Sequence, residues 1–282
     1  MKREAALLFG TAAAYMMAIM PEVRHKADTM KGVYYAHRGL HNLEQGIPEN
    51  TMAAFGRAVD AGYGIELDVQ LSKDGQVVVF HDFDLKRVCS VDGDVSDYTY
   101  EELRRFPVCN TRERIPLLAD VLKLVDGKVP LLVEMKYKNF TSRICEEADR
   151  LLNAYHGPYS IESFHPWALM WYRRHRPEVC RGQLAMNFQR QEGNYSPERF
   201  AARHLLLNFL GRPDFIAYDI RDKKALSKNI CRKLFGCPSA AWTVKSGEQL
   251  EQARPYYDSF IFEGFRPEKQ HYPISSSSFG NG

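Results

Sequence analysis

The run Gly64-Ile65-Glu66-Leu67-Asp68-Val69 holds two carboxylates two residues apart in a β-rich stretch. At the period of a strand both project from one face, while Ile65, Leu67 and Val69 take the other. The spacing recurs in Leu132-Val133-Glu134-Met135-Lys136, where Glu134 and Lys136 share a face. Either motif alone is also what a strand with one solvated face looks like. On successive strands they pool three hard oxygen donors, Glu66, Asp68 and Glu134. That set suits one divalent cation, Mg²⁺ or Ca²⁺, with positions left open for substrate oxygens. Turned into a core, such carboxylates are costly unless something cationic sits between them.

Two histidines stand at the ends of neighbouring runs, in His37-Arg38-Gly39 and in His81-Asp82. A lone histidine in such a place is more often a satisfied structural residue. These two bracket the acidic pair at the C-terminal ends of their runs, where barrel enzymes carry their reactive groups. Imidazole titrates near neutrality, so one neutral and one protonated ring can divide base and acid work. Arg38 and Lys136 add positive charge for an anionic substrate, the guanidinium being able to grip a phosphate through two parallel bonds.

Positioning these groups requires an α/β scaffold, and beyond about residue 33 short β-rich runs alternate with longer amphipathic stretches. The expected strands are 33–39, 64–71, 130–136, 159–164, 181–187, 215–220, 239–244 and 259–263. Eight of them imply a closed barrel. A further run, 77–80, follows Leu71 across Ser72-Lys73-Asp74-Gly75-Gln76. The Asp-Gly predicts a hairpin that folds back antiparallel on the second strand, outside the barrel count. Helices are predicted over 49–61, with Pro48 at the start, and over 141–152.

The chain has 282 residues, 45% hydrophobic and 26% charged. This excludes disorder, collagen-like repeats and a multi-span membrane protein, and an α/β barrel fits that length as one domain. Lys+Arg 38 against Asp+Glu 35, a formal charge of +3 with no basic block interleaved with aromatics, argues against nucleic acid as a partner. Six scattered cysteines carry no Cys-x-x-Cys pair, so unpaired structural thiols are expected. Residues 5–20 are uncharged between Lys2-Arg3 and a polar stretch from Glu22. At about 16 residues the segment is short for a span, yet mismatch can be absorbed. Ala18-Ile19-Met20 is a poor small-x-small cleavage site, so an uncleaved membrane anchor is expected rather than a removed signal peptide. An apolar helix packed on the domain is the competing assignment. The orientation is undecided, because Arg24 and Lys26 balance Lys2 and Arg3.

In order, Ala36-His37-Arg38-Gly39, Pro48-Glu49-Asn50-Thr51, Glu66-Leu67-Asp68-Val69-Gln70-Leu71, Lys73-Asp74-Gly75, Val79-Phe80-His81-Asp82 and Glu134-Met135-Lys136 resemble the glycerophosphodiester phosphodiesterase family. Ser163-Phe164, Gln183-Leu184 and Ala241-Trp242-Thr243-Val244 resemble its later strands. The last strand departs, with Asp258-Ser259-Phe260-Ile261-Phe262-Glu263 where the family usually has Asp-Gly-Ile-Ile-Thr-Asp.

The resemblance implies a TIM-like (β/α)8 barrel over 31–274 with a small insertion at about 83–114. It implies hydrolysis of glycerophosphodiesters to glycerol 3-phosphate and an alcohol, with one divalent metal. Glu66, Asp68 and Glu134 would bind the metal, and His37 and His81 would act as general base and general acid. The substrate's own 2-hydroxyl would attack first and form a cyclic phosphate. Arg38, Lys136 and Trp242 would line the substrate, Trp242 as a wall for glycerol unless it faces the covering helices instead. Bacterial members with a short hydrophobic anchor resemble this N-terminus too, so residues 1–30 are expected to hold the protein at a bacterial cell membrane. Residues 275–282 are expected to be a flexible tail. The alternatives are a sphingomyelinase D-like or phosphatidylinositol-specific phospholipase C-like enzyme acting on intact lipid, and a non-catalytic ligand-binding barrel.

Overall fold

The computed structural model describes residues 2–22, 26–137, 141–188, 190 and 196–268. Eight parallel strands close on themselves in the order β1 (Tyr34–Ala36), β2 (Gly64–Leu71), β4 (Leu131–Met135), β5 (Tyr159–Ser163), β6 (Arg181–Ala185), β7 (Phe215–Asp219), β8 (Ser239–Val244) and β9 (Ser259–Phe262), with β9 pairing back onto β1. The helices around this ring include α2 (Met52–Asp60), α5 (Leu118–Val125), α6 (Arg143–Leu152), α7 (Pro166–His175), α8 (Pro197–Arg203), α9 (Asn208–Gly211), α10 (Leu226–Leu234) and α11 (Gly247–Ala253). The expected TIM-like barrel is therefore the observed one. Its ninth strand, β3 (Val77–Val79), pairs antiparallel with the upper end of β2 and stays outside the ring, as the Asp-Gly turn predicts.

Strand alternation sorts the core into two sides. Ile65, Leu67, Val69, Leu131, Val133 and Ile161 face outward to the helices. Tyr35, Leu132, Leu184, Phe215, Ala217, Ala240 and Ile261 fill the barrel itself. Gly182 leaves room for that filling, since a Cβ there would sit 2.1 Å from the Phe215 ring. The segment Lys26–Met30 closes the bottom of the barrel by adding Ala27 and Met30 to the inner cluster.

Several boundaries differ from the expected ones, each for a local reason. β1 ends at Ala36 because Arg38 (φ 56°) and Gly39 (φ 83°) turn the chain into the left-handed region. The helix expected from Glu49 starts at Met52, because Asn50 is left-handed (φ 53°) and Thr51 caps the helix through the Ala54 amide. After the hairpin come α3 (Lys86–Cys89) and α4 (Tyr100–Leu103), the latter opened by a Thr99–Glu102 capping box. All six cysteines are free, and all but Cys109 are buried.

The N-terminal expectation needs correction. Helix α1 (Lys2–Ile19) takes Lys2, Arg3 and Glu4 into its first turn, and no helix among the described residues is long and apolar enough to cross a membrane. Its C-terminal end docks on the barrel instead. Ile19 is fully buried, its carbonyl accepts from Asn208 Nδ2 and lies 3.3 Å from Cys231 Sγ, and Tyr15 Oη lies 2.9 Å from Ser227 Oγ. The expected tail, 275–282, lies outside the described residues.

Candidate active site

The upper mouth of the barrel brings together Glu66, Asp68, Glu134, Lys136, Arg38, His37 and His81. Register places Asp68 opposite Glu134 across β2 and β4, with Glu66 one inward position below Asp68. Glu66, Asp68 and Glu134 are all buried, and each offers an oxygen within 4.8 Å of the others. Lys136, the next inward residue after Glu134, brings Nζ 2.9 Å from Asp68 Oδ1 and 2.7 Å from Glu134 Oε1.

His81 reaches this cluster because the hairpin folds down. The Phe80 amide donates to the Asp68 carbonyl, which returns the next residue to the level of the carboxylates. His37 follows Tyr35 on the inward face of β1, and its Nε2 lies 4.0 Å from Glu66 Oε2.

The left-handed turn after β1 has a use here. With φ 56° at Arg38, the Arg38 amide donates to Glu66 Oε2 at 3.0 Å, and its guanidinium donates to Glu49 Oε1 at 2.7 Å. Gly39 must follow, since a Cβ there would lie 2.9 Å from Ala54. Arg38 Nε points to Asp68 Oδ2 at 3.5 Å without a hydrogen bond, a buried donor within reach of an anion. Asn50 Nδ2 donates to the same Asp68 oxygen at 2.8 Å.

The electrostatics follow from crowding. Burial, then the charges of Asp68 and Glu134, push Glu66 well above the usual carboxylate range. Burial also raises Glu134. Asp68 goes the other way: burial opposes it, yet Lys136, His81, Arg38 and the Asn50 hydrogen bond hold it well below that range. Burial is the largest influence on His37 and lowers it, so the ring is neutral at pH 7. Its Nδ1 lies 3.1 Å from Glu263 Oε2, and this contact holds Glu263 down to about 2.

Metal-binding residue types are therefore brought together in a way that fits a hard dication. The three carboxylates, buried with oxygens within 4.8 Å of one another, repel one another as they stand. A bound cation would relieve that repulsion.

Sequence reasoning missed several participants. Asp82 Oδ1 lies 2.6 Å from His81 Nδ1, Arg87 on α3 donates to both Asp82 and Glu49, and Glu49 in turn holds Arg38. One guanidinium thus joins the supports of His81 and Arg38. Glu263 stands where the family pattern has its final Asp, so the departing strand still delivers a carboxylate. Glu162, inward on β5 beside Glu134, was not singled out, although Ser160-Ile161-Glu162 has the same alternation as β2. Trp242 belongs to the barrel interior rather than the helix face, packing edge-on against Phe164 with centroids 5.5 Å apart. Two surface clefts, one lined by Tyr100 and Arg112 to Pro116 and one by Arg203 and Arg221 to Ser227, have none of these groups in their walls.

Comparison with known proteins identifies the family and the fold. The model of the glycerophosphoryl diester phosphodiesterase family matches residues 37–219. A glycerophosphodiester phosphodiesterase of Bacillus altitudinis is 35% identical over 173 residues, covering 57% of this chain and 69% of that protein. The crystal structure of a glycerophosphodiester phosphodiesterase from Thermotoga maritima superposes with a TM-score of 0.61 at 28% identity, covering 82% of this chain and 93% of the other. A phosphodiesterase of Oleispira antarctica, solved in complex with the product sn-glycerol-3-phosphate, has the same fold, with a TM-score of 0.68 at 23% identity and coverage of 84% and 94%.

Proposed function

The chain belongs to the glycerophosphoryl diester phosphodiesterase family, and from that premise we propose that it hydrolyses glycerophosphodiesters to glycerol 3-phosphate and an alcohol by metal-assisted histidine acid–base catalysis. The observation that carries this reading is the convergence of Glu66, Asp68 and Glu134 within 4.8 Å, beside His37 and Lys136. These carboxylates would hold Mg²⁺ or Ca²⁺, and such an ion, when bound, draws charge from the phosphoryl oxygens.

The remaining work belongs to the chain's own groups. Arg38, with its free Nε, and Lys136 hold the phosphodiester anion. His37, neutral and steadied by Glu263 at Nδ1, presents Nε2 as the base that takes the proton from the substrate's 2-hydroxyl. As that oxygen bonds to phosphorus, the bond to the leaving alcohol breaks, and His81 protonates the departing oxygen. Asp82 orients the His81 ring throughout. Water then opens the cyclic phosphate with the two histidines exchanging roles. Trp242 and Phe164 form the apolar wall for the glycerol.

The test is glycerol 3-phosphate release from a panel of glycerophosphodiesters with and without chelator. Activity that survives exhaustive chelation sinks the metal assignment, and cleavage restricted to intact phospholipid sinks the substrate assignment.

We also propose that the protein works at a membrane surface through α1 without crossing the bilayer. Tyr15 meets Ser227 in the first turn of α10 and Ile19 meets Cys231 one turn on, so α1 runs in the same direction as α10. Its residues before Tyr15 extend past the start of α10, toward the end of the barrel that holds the site. Phe9 is 82% exposed there, and Gly10 to Ala14 are exposed with it. Sedimentation with lipid vesicles tests this. Loss of binding on deleting residues 2–14 supports it, and unchanged recovery in the supernatant for the full chain overturns it.

A further inference from the structure

Four carboxyl side chains enter the barrel from β2, β4 and β5, and the reaction above employs three. Glu162 is the fourth. It is 1% exposed, pairs in register with Glu134 across β4 and β5, and follows Ser160 on the inward face. Its Oε2 makes no hydrogen bond, and among the described residues no cation lies within ion-pair distance of it. The charged groups it faces are Glu66, Glu134, Asp68 and Lys136, and the Lys136 ammonium is already engaged by Asp68 and Glu134.

A buried carboxyl group without a partner is a poor packing element, since an amide or a branched apolar side chain would fill the same space without the charge. Lys136 is shared between Asp68 and Glu134, and the Arg38 guanidinium is held by Glu49, so neither cation is left to Glu162. Glu162 is not among the residues whose oxygens all fall within 4.8 Å of one another, which sets it apart from Glu66, Asp68 and Glu134. We infer that Glu162 is an outer carboxylate of the cation site, acting on the ion through one intervening water and orienting that water. This rests on the assignment of Glu66, Asp68 and Glu134 as the cation's ligands.

The experiment is calorimetric titration of the chelator-stripped full-length protein with Mn²⁺ and Mg²⁺, comparing the wild type with E162Q and E134Q. Partners one shell beyond the ligands tune metal affinity by about 10–100-fold. The expected result is one site in the wild type, a Kd raised about 10–100-fold in E162Q with the same stoichiometry, and no measurable site in E134Q. Thermal midpoints in chelator supply a second readout. E162Q should melt no lower than the wild type, because a repelled carboxyl has been removed, while the rise on adding ion should shrink. Equal Kd values for the wild type and E162Q, with E134Q still defective, overturn the role of Glu162 and leave the three-ligand reading standing. A wild-type protein that takes up neither ion overturns both. If E162Q does not fold, E162L is put through the same comparison with the same outcomes.

Discussion

The two walls of the barrel interior differ sharply. Along β2, β4 and β5 the inward positions hold Glu66, Asp68, Glu134, Lys136 and Glu162 beside Leu132, while β6 to β9 offer Leu184, Phe215, Ala217, Ala240, Trp242 and Ile261, with Asp219 at the upper end of β7. The apolar wall is ordinary core, stabilised by area removed from water and by close packing. The charged wall opposes folding: its carboxylates raise one another's protonation range, and Lys136, His81, Arg38 and Asn50 offset the repulsion. The comparison teaches that one half of the barrel supplies the stability and the other half spends it on holding phosphate chemistry. A substitution in the first half should act on melting, and one in the second on turnover.

The sharpest way to break this division is at the histidines. His37→Ala and His81→Ala should each lower kcat by about 10²–10⁴-fold, the usual share of a proton-transfer group and far out of proportion to any loss in thermal midpoint. Either variant turning over at the wild-type rate under metal saturation would contradict the mechanism. On the apolar wall, Phe215→Ala should cost roughly 3–5 kcal/mol in denaturant unfolding, through the cavity it leaves beside Gly182. Its activity, assayed below its melting range, should stay within a few-fold of the wild type.

Glu263 sharpens the boundary between the walls, because it directly follows β9 yet serves His37. Its folded-state value of about 2 lies below the ordinary 4.5. Its contribution to stability is therefore fully present above 4.5 and is lost as pH falls through about 2. Glu263→Gln should flatten the acid side of the stability profile between those values, by roughly 1–3 kcal/mol. A profile as steep as the wild type's in that window would show that the His37 contact contributes nothing to folding. The smallest effect is expected at Arg87, half exposed and distant from the reacting atoms. Arg87→Gln should cost about tenfold in kcat/KM by loosening Asp82 and Glu49 together, with partial recovery in Arg87→Lys. Recovery to full activity in Lys would mean that charge alone matters there, not the forked geometry.

Much of the charged wall was legible before any coordinates. A two-residue period inside β-rich runs places side chains on one face by covalent geometry alone, so Glu66 with Asp68 and Glu134 with Lys136 could be paired on paper. The hairpin that carries His81 was legible from its Asp-Gly turn. Glu162 gave the same local signal and was passed over, because its meaning depends on facing Glu134 across another strand. The His37–Glu263 contact joins residues 226 apart and exists only because the ring closes. The N-terminus misled for the opposite reason. Its composition is that of a membrane segment, and composition does not register that Ile19 and Tyr15 find partners on α9 (Asn208–Gly211) and α10.

Alternation, turn chemistry and residue type by themselves determined the barrel, the three metal-ligand candidates and the two histidines, since these follow from local periodicity and intrinsic reactivity. Tertiary structure decided how burial acts on His37, where the fourth carboxylate stands and what the N-terminal helix touches. Those outcomes depend on burial and on charges from distant parts of the chain, and Coulomb interactions and desolvation act through space rather than along the backbone.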